Sequence, residues 1–132
     1  MKKVRAATET TMVKVMLVED HADFRRLVAR WVDREPDLEV VAQAGSLEEA
    51  RPLAASVGCD VAVLDIGLPD GSGADLIAEL RELCPGSAAL ILSATLDPAN
   101  LAQAKEAGVE EVLDKSAGPA EVIGAIRRLG NG

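Results

Sequence analysis

The sequence is poor in the residues on which many cofactor and metal sites depend. Its 132 residues include no tyrosine, one phenylalanine, one tryptophan, one histidine and two cysteines. Cys59 and Cys84 do not form a CxxC pair, and one histidine cannot complete a zinc site with them, so the sequence argues against a structural zinc. We expect both cysteines to be small buried side chains rather than a disulfide, which a reducing compartment disfavours.

Long apolar runs and an excess of positive charge are also missing. No segment approaches the length of a membrane span, and the N-terminal MKKVRAATETT lacks the apolar core of a secretion signal. The formal net charge of −8 argues against direct binding of nucleic acid or an anionic membrane by this chain. The sequence therefore predicts a cytoplasmic protein with no membrane contact.

The composition that remains is that of one globular domain. Hydrophobic residues make up 48% and charged residues 27% of the chain, which is typical of a folded domain rather than a disordered one. The length suits a single core. We interpret residues 1–11 as a polar N-terminal tail and residues 12–130 as the domain.

Two hydrophobic periods alternate along the chain. Short apolar runs predict strands, and stripes at helical spacing predict a helix after each strand. Turn and cap residues separate them: Ser46 with Glu49 resembles a capping box, Asp97 precedes a proline, and Gly108 suits the end of a helix. The predicted strands are residues 12–18, 38–44, 60–65, 88–93 and 109–115.

Five alternating strands and helices predict a doubly wound α/β fold of the flavodoxin-like (βα)5 type. In such a fold a parallel sheet is covered by helices on both faces. The first, third and fourth strands are the most apolar and should be central, whereas the second and fifth carry polar residues that suit edges. The predicted strand order is 2-1-3-4-5, with a topological switch between the first and third strands, where ligands bind at the carboxyl edge of the sheet.

Polar side chains stand at that carboxyl edge. The third strand runs into Asp65, and a carboxylate at the rim of a core needs a partner. The first strand ends in Glu19 and Asp20, the fourth in Ser93, and the fifth in Lys115. Crowded carboxylates favour a bound cation, and oxygen ligands beside a phosphate suit Mg²⁺. An aspartate beside a metal and a lysine is equipped to attack phosphorus and form an acyl phosphate.

These pieces together resemble the receiver domain of bacterial two-component response regulators. The matching segments are VMLVEDH, VLDIGLPDGSG, LILSA and GVEEVLDKSAG, in that order over about residues 12–129. The Lys-Ser junction at residues 115 and 116 resembles the NarL/LuxR-type subfamily, whose receivers often precede a helix-turn-helix domain. The chain ends just after the fifth helix, so we expect either a single-domain regulator or the front part of a longer protein.

The resemblance implies a role for each site residue. A sensor histidine kinase would transfer its phosphoryl group to Asp65, with Lys115 and Ser93 assisting. Mg²⁺ would be held by Asp20, Asp65 and the backbone carbonyl of Gly67, with Glu19 helping through water. The face formed by the fourth helix, fifth strand and fifth helix would dock an output domain or a second copy in a homodimer.

One position departs from the family pattern. Three residues before the lysine the family usually has an aromatic side chain that changes rotamer on activation, and here that residue is Val112. We therefore expect the signal to appear mainly as backbone displacement of residues 94–105. The expected trigger is Ser93, whose hydroxyl would gain a hydrogen bond on phosphorylation that it lacks at rest.

Other classes of protein fit the sequence less well. A nucleotide or flavin binder would need a Gly-, Ser- or Thr-rich loop after the first strand, where this chain has EDHAD. An aspartyl-nucleophile phosphatase generally has a second carboxylate two residues after the nucleophile, where Gly67 stands. A receiver-like interaction module that works without phosphorylation remains the main alternative, although the intact set of acidic, serine and lysine residues argues against it.

Overall fold

The computed structural model describes residues 12–132, and the predicted polar tail lies outside these residues. Strands and helices alternate along the chain, with two very short strands between the third strand and the third helix. The elements are β1 (Val13–Val18), α1 (Ala22–Asp33), β2 (Leu38–Ala44), α2 (Leu47–Val57), β3 (Val61–Leu64), β4 (Gly67–Leu68), β5 (Gly71–Ser72), α3 (Gly73–Leu83), β6 (Ala88–Ser93), α4 (Pro98–Ala107), β7 (Glu111–Asp114) and α5 (Pro119–Asn131).

The main sheet has five strands in the order β2-β1-β3-β6-β7, and all four neighbouring pairs are parallel. Leaving out β4 and β5, this is the predicted order 2-1-3-4-5. Strands β1, β3 and β6 are central because almost every side chain they carry is apolar and buried. The sequence did not predict β4 and β5, which form a separate antiparallel hairpin directly after Asp65.

The sheet divides the hydrophobic core into two layers because neighbouring side chains of a strand point to opposite faces. On β1, Met16 and Val18 pack toward α2, α3 and α4, whereas Val15 and Leu17 pack toward α1 and α5. Each fully buried aliphatic side chain of this kind contributes about 1.5–3 kcal/mol. This double packing fixes the strand ends and hence the edge at which the polar residues meet.

The predicted helix caps are present. The Ser46 side chain accepts a hydrogen bond from the Glu49 N–H at 3.1 Å, and that of Asp97 accepts one from the Asn100 N–H at 2.8 Å. The reciprocal bond of the first cap differs from a standard capping box, since Glu49 accepts from the N–H of Gly45. Gly108 ends α4 in the left-handed region with φ of 93°, which favours glycine.

The two cysteines carry free thiols at the end of the sheet opposite the polar residues. Cys84 is buried and donates to the backbone carbonyl of Ala54, whereas Cys59 is half-buried. Burial raises the pKa of the Cys59 thiol to about 12, with a smaller contribution from the neighbouring Cys84. Over residues 12–132, no helix has the length and apolar character needed to cross a bilayer.

Candidate functional site

The structure brings the sequence-predicted polar residues together at the carboxyl edge of the sheet. Glu19, Asp20 and Asp65 each place a carboxylate oxygen within 4.8 Å of the others. Ser93 and Lys115 contact the same cluster from β6 and from the loop after β7. The convergence follows from topology, since parallel strands present all their carboxyl ends at one edge.

Asp65 is the centre of the cluster and is held by three donors. The Ser93 hydroxyl donates to its Oδ1 at 2.8 Å, and the backbone N–H of Gly67 donates to the same oxygen at 3.3 Å. The Lys115 ammonium donates to Oδ2 at 3.0 Å. Because Asp65 is only 8% exposed, these contacts replace much of the water that a free carboxylate would bind.

Lys115 joins the two buried carboxylates of the site. Its Nζ lies 2.7 Å from Oε1 of Glu19 as well as 3.0 Å from Oδ2 of Asp65. It also lies 4.9 Å from the centre of the Phe24 ring, a distance at which the ring face attracts a cation. The lysine therefore supplies the positive charge that lets two carboxylates share a poorly hydrated site.

The environment changes the pKa of both partners in this bridge. Burial raises the pKa of Glu19, and hydrogen bonds from Lys115 and the N–H of His21 only partly oppose that shift. Burial alone would lower the pKa of Lys115, but its hydrogen bonds to Glu19 and Asp65 outweigh this effect and raise it. Lys115 is thus held in its charged form at neutral pH.

The predicted metal-binding residues fit a divalent cation by their chemistry. The cluster offers hard carboxylate oxygens, which suit Mg²⁺ or Ca²⁺, and Asp20 is exposed and open to solvent. Gly67 is also exposed, and the space where its Cβ would lie is open. Glu19 is paired directly with Lys115 in this structure.

The expectation for the resting state of Ser93 was wrong. We expected its hydroxyl to lack a partner near Asp65 until phosphorylation, yet it already donates to Asp65 Oδ1. The Ser93 and Thr95 hydroxyl oxygens also lie 3.2 Å apart. The hydroxyl is fully buried, and a buried hydroxyl takes the strongest available acceptor, which here is the carboxylate.

Two residues that shape the loop after Asp65 were not singled out as site residues from the sequence. A Cβ on Gly73 would clash with the backbone carbonyl oxygen of Asp65, so a larger residue there would displace the acceptor. Asp70, at the turn of the hairpin, accepts from the N–H groups of Leu47 and Glu48 at 2.9 Å each and so caps α2. Both lie in the turn-rich GLPDGSG segment, which was the only available signal.

The fold is a doubly wound α/β domain, and its switch point carries an acidic pair, an aspartate, a hydroxyl and a lysine. This combination defines the class of receiver-like signalling domains. Residues 15–127 match the response regulator receiver domain family, and the chain belongs to that family. It is 37% identical over 121 residues to the transcriptional regulatory protein UhpA of Salmonella typhimurium, a match that covers 92% of this chain and 60% of that protein.

Solved structures agree with this assignment. A two-component response regulator of the LuxR family from Aurantimonas sp. superposes with a TM-score of 0.84 at 31% identity, covering 92% of this chain and 87% of that one. A response regulator from Burkholderia pseudomallei, determined with a phosphorylated aspartic acid and a calcium ion, superposes with a TM-score of 0.79 at 26% identity. That match covers 90% of this chain and 69% of the other.

The chain is therefore a receiver domain of a two-component response regulator. It spans about 60% of the length of the curated relatives UhpA and DevR/DosR, which are named as transcriptional regulators. The strand order and the family assignment expected from the sequence are confirmed.

Proposed function

We propose that Asp65 accepts a phosphoryl group from the phosphohistidine of a sensor histidine kinase. The observation that carries the proposal is the position of Asp65, buried at the switch point with one oxygen bound by Lys115 and the other by Ser93. A nearly buried carboxylate with strong donors on both oxygens is held in one orientation, which favours attack on an incoming phosphorus.

The transfer forms one bond and breaks one. A carboxylate oxygen of Asp65 attacks phosphorus while the phosphorus–nitrogen bond of the kinase histidine breaks. The electron pair stays on the imidazole nitrogen, and the histidine leaves neutral once the ring has taken up a proton. Lys115 stays charged throughout and can turn from Glu19 to a phosphoryl oxygen, while the Ser93 hydroxyl donates to another.

We assign the metal of this site as Mg²⁺, held by Asp20, Asp65 and the backbone carbonyl of Gly67. When bound, it would offset the negative charge of the carboxylates and of the phosphoryl oxygens. Glu19 would assist through water, which requires it to leave Lys115. The carboxylate oxygens clustered within 4.8 Å support the assignment.

We also propose that the aspartyl phosphate is short-lived, with a lifetime of minutes rather than days. Gly67 and Thr95, two residues beyond Asp65 and Ser93, are both exposed, and no atom lies within 4 Å of the position of a Cβ on Gly67. A hydrolytic water therefore has open access. Bulky side chains at both positions should slow hydrolysis, and an unchanged rate would refute the steric argument.

The output surface is proposed to be the face formed by α4, β7 and α5. A cognate output domain or a second copy in a homodimer would dock there. Since the relatives are longer transcriptional regulators, we infer that the intact protein acts in the cytoplasm on transcription through a helix-turn-helix domain. This chain would contact no nucleic acid or membrane itself, and it would catalyse only its own phosphorylation and dephosphorylation.

The experiment that tests this function is the intact mass of the protein after incubation with Mg²⁺ and acetyl phosphate. We expect one phosphoryl group per wild-type chain and none on Asp65→Asn, which preserves the shape but removes the nucleophile. Asp60→Asn, at the other end of the same strand, is the matched control and should be labelled normally. Stoichiometric labelling of Asp65→Asn would refute the assignment.

A further inference from the structure

Arg25 connects α1 to the acidic loop in a way that the proposed chemistry has not used. Its backbone belongs to the first helical turn, where its N–H donates to the carbonyl of His21 at 3.0 Å. Its side chain runs back to the carboxyl edge of the sheet, and Nη1 donates to the backbone carbonyl of Glu19 at 2.7 Å. The contact therefore joins the helix to the peptide that precedes Asp20.

The guanidinium fills the gap between two loops of the site. A Cβ on Gly45, in the loop after β2, would lie 3.4 Å from Nη1 of Arg25 and 3.9 Å from the Cα of Asp20. On its other side the same position would lie 3.4 Å from Oε1 of Glu49. The arginine and the acidic loop thus both lie within van der Waals contact of this position.

This contact completes the fixation of the Glu19 main chain. The N–H of Glu19 donates to the carbonyl of Ala44 at 2.9 Å, so β2 holds one side of the residue and Arg25 holds the other. The carbonyl that Arg25 binds belongs to the peptide plane linking Glu19 to Asp20. Fixing that plane restricts the directions in which the Asp20 side chain can leave the backbone.

Asp20 needs such support more than its neighbours do. Asp65 is oriented by Ser93 and Lys115, and Glu19 by Lys115, whereas within residues 12–132 the Asp20 carboxylate makes no side-chain hydrogen bond. Its place in the acidic cluster depends on the backbone that carries it. Groups that orient a ligand indirectly in this way are important for metal affinity.

The burial of one nitrogen of the half-buried Arg25 side chain indicates that its position is maintained against a cost. Its Nε is buried and has no hydrogen-bond partner, an arrangement that costs free energy. The neighbouring Arg26 shows the alternative, since its side chain is 66% exposed and pairs with Asp23 on the surface. An arginine needed only for helix solubility would resemble Arg26.

We propose that Arg25 is a positioning residue for the metal-binding carboxylate of Asp20. By holding the Glu19 carbonyl it fixes the Glu19–Asp20 peptide. This inference rests on the proposed function, because the consequence of the positioning is Mg²⁺ affinity at the phosphoryl-acceptor site.

The test is a Mg²⁺ titration without phosphodonor. Binding is monitored through the amide NMR chemical shifts of residues 19–21 and 65–67. Arg25→Ala should raise the Mg²⁺ dissociation constant by roughly 10-fold, the effect typical of losing a group that orients a metal ligand. Arg25→Lys should give a smaller loss, because an ammonium can still donate to the carbonyl. Arg26→Ala removes the same charge from the same helix and should bind Mg²⁺ as the wild type does.

A second measurement distinguishes a positioning role of Arg25 from a general loss of structure. When acetyl phosphate is added, Arg25→Ala should need more Mg²⁺ for half-maximal labelling but reach nearly the wild-type rate at saturating Mg²⁺. If Arg25→Ala does not fold, Arg25→Lys is the variant that tests the inference. A Mg²⁺ affinity of Arg25→Lys equal to that of Arg26→Ala would then overturn it.

The two proposals fail in different ways. A folded Arg25→Ala protein with the Mg²⁺ affinity of Arg26→Ala would overturn the role of Arg25 and leave Asp65 as acceptor. A wild-type protein that binds Mg²⁺ but takes up no label would overturn the acceptor role, and the titration would still decide the role of Arg25.

Discussion

The Lys115 ammonium lies 2.7 Å from the Glu19 carboxylate, although the two residues are 96 positions apart in the chain. Lys115 also reaches Asp65, so one positive charge is shared between two buried carboxylates and offsets only part of their negative charge. The lysine and an incoming divalent cation therefore compete in part for the same negative charge. This relationship predicts how stability and metal binding respond when the lysine is removed.

Lys115→Ala should lower the free energy of unfolding in metal-free buffer by about 1–3 kcal/mol, because it leaves buried carboxylates without their charged partner. Added Mg²⁺ should restore more stability in this variant than it adds to the wild type, since it replaces the missing charge. The measurement is the urea unfolding midpoint with and without Mg²⁺. Lys105→Ala, an exposed lysine on α4, is the control, and equal Mg²⁺ stabilisation of all three proteins would contradict the competition.

The Asp70 cap predicts a pH dependence of stability. Hydrogen bonds from the N–H groups of Leu47 and then Glu48 hold the pKa of Asp70 below its usual value. A depressed folded-state pKa contributes stability above the unfolded value of about 3.9, and this contribution is lost as the pH falls through the folded-state pKa.

Asp70→Asn should therefore lose less stability than the wild type between about pH 5 and pH 3, because it has no carboxylate to protonate. Unfolding midpoints across this range give the comparison. Asp23 is an exposed acidic residue in the first turn of α1. Asp23→Asn should show the same dependence of the unfolding midpoint on pH as the wild type. If the unfolding midpoint of Asp70→Asn depends on pH as that of the wild type does, the cap contributes nothing to the loss of stability in acid.

Gly73 and Gly67 form a matched pair that tests the geometry of the acceptor loop. Gly73→Ala should destabilise the fold by about 1–3 kcal/mol, because the new methyl group would overpack against the Asp65 carbonyl. Gly67→Ala should be tolerated, since its Cβ meets open space. Chemical denaturation measures both. If the two variants are equally stable, the close approach of Gly73 to Asp65 is not a constraint in solution.

Ser93 should carry the signal from the acceptor toward α4. The Asn100 side chain donates to the carbonyl of Thr95 at 2.7 Å, so the loop that follows Ser93 is tied to the start of α4. Because Ser93 already binds Asp65, a phosphoryl group would redirect an existing hydrogen bond rather than create the first one. Val112, half-buried beside Ile91, is too short to repeat the movement of an aromatic ring.

Beryllofluoride, which mimics a phosphoryl group on a carboxylate, should thus alter amide hydrogen exchange over residues 94–105 in the wild type. Ser93→Ala should lose this response, because a bound group shifts a two-state equilibrium only through contacts that differ between the states. Ser87→Ala, at the opposite end of β6, should respond as the wild type does. Changes confined to the surroundings of Asp65 would argue against any conformational output.

The fold could be predicted because its signals are local. The apolar runs, the Ser46 and Asp97 caps, and Gly108 each act within a few residues, and the parallel order follows from alternating strands and helices. The edge that gathers Asp65 and Lys115 followed from the same topology.

The contacts within the site could not be predicted in the same way. The choice of Glu19 as partner for Lys115, the Arg25 contact with a backbone carbonyl, and the Asp70 cap on a helix 22 residues earlier depend on three-dimensional packing. The hydrophobic periodicity of the sequence does not indicate which hydrogen-bond donor pairs with which acceptor in another loop. For the same reason, the prediction that the Ser93 hydroxyl lacks a hydrogen bond to Asp65 in the resting state was wrong.

The most direct test of the acceptor assignment is to trap the acyl phosphate chemically. Borohydride reduces an aspartyl phosphate to homoserine, so tandem mass spectrometry of the labelled and reduced wild-type protein identifies the modified position. We predict homoserine at position 65 alone, dependent on both Mg²⁺ and the phosphodonor. Homoserine at position 20 or at another aspartate, or a stable label with no homoserine at position 65, would contradict the role of Asp65 as the phosphoryl acceptor.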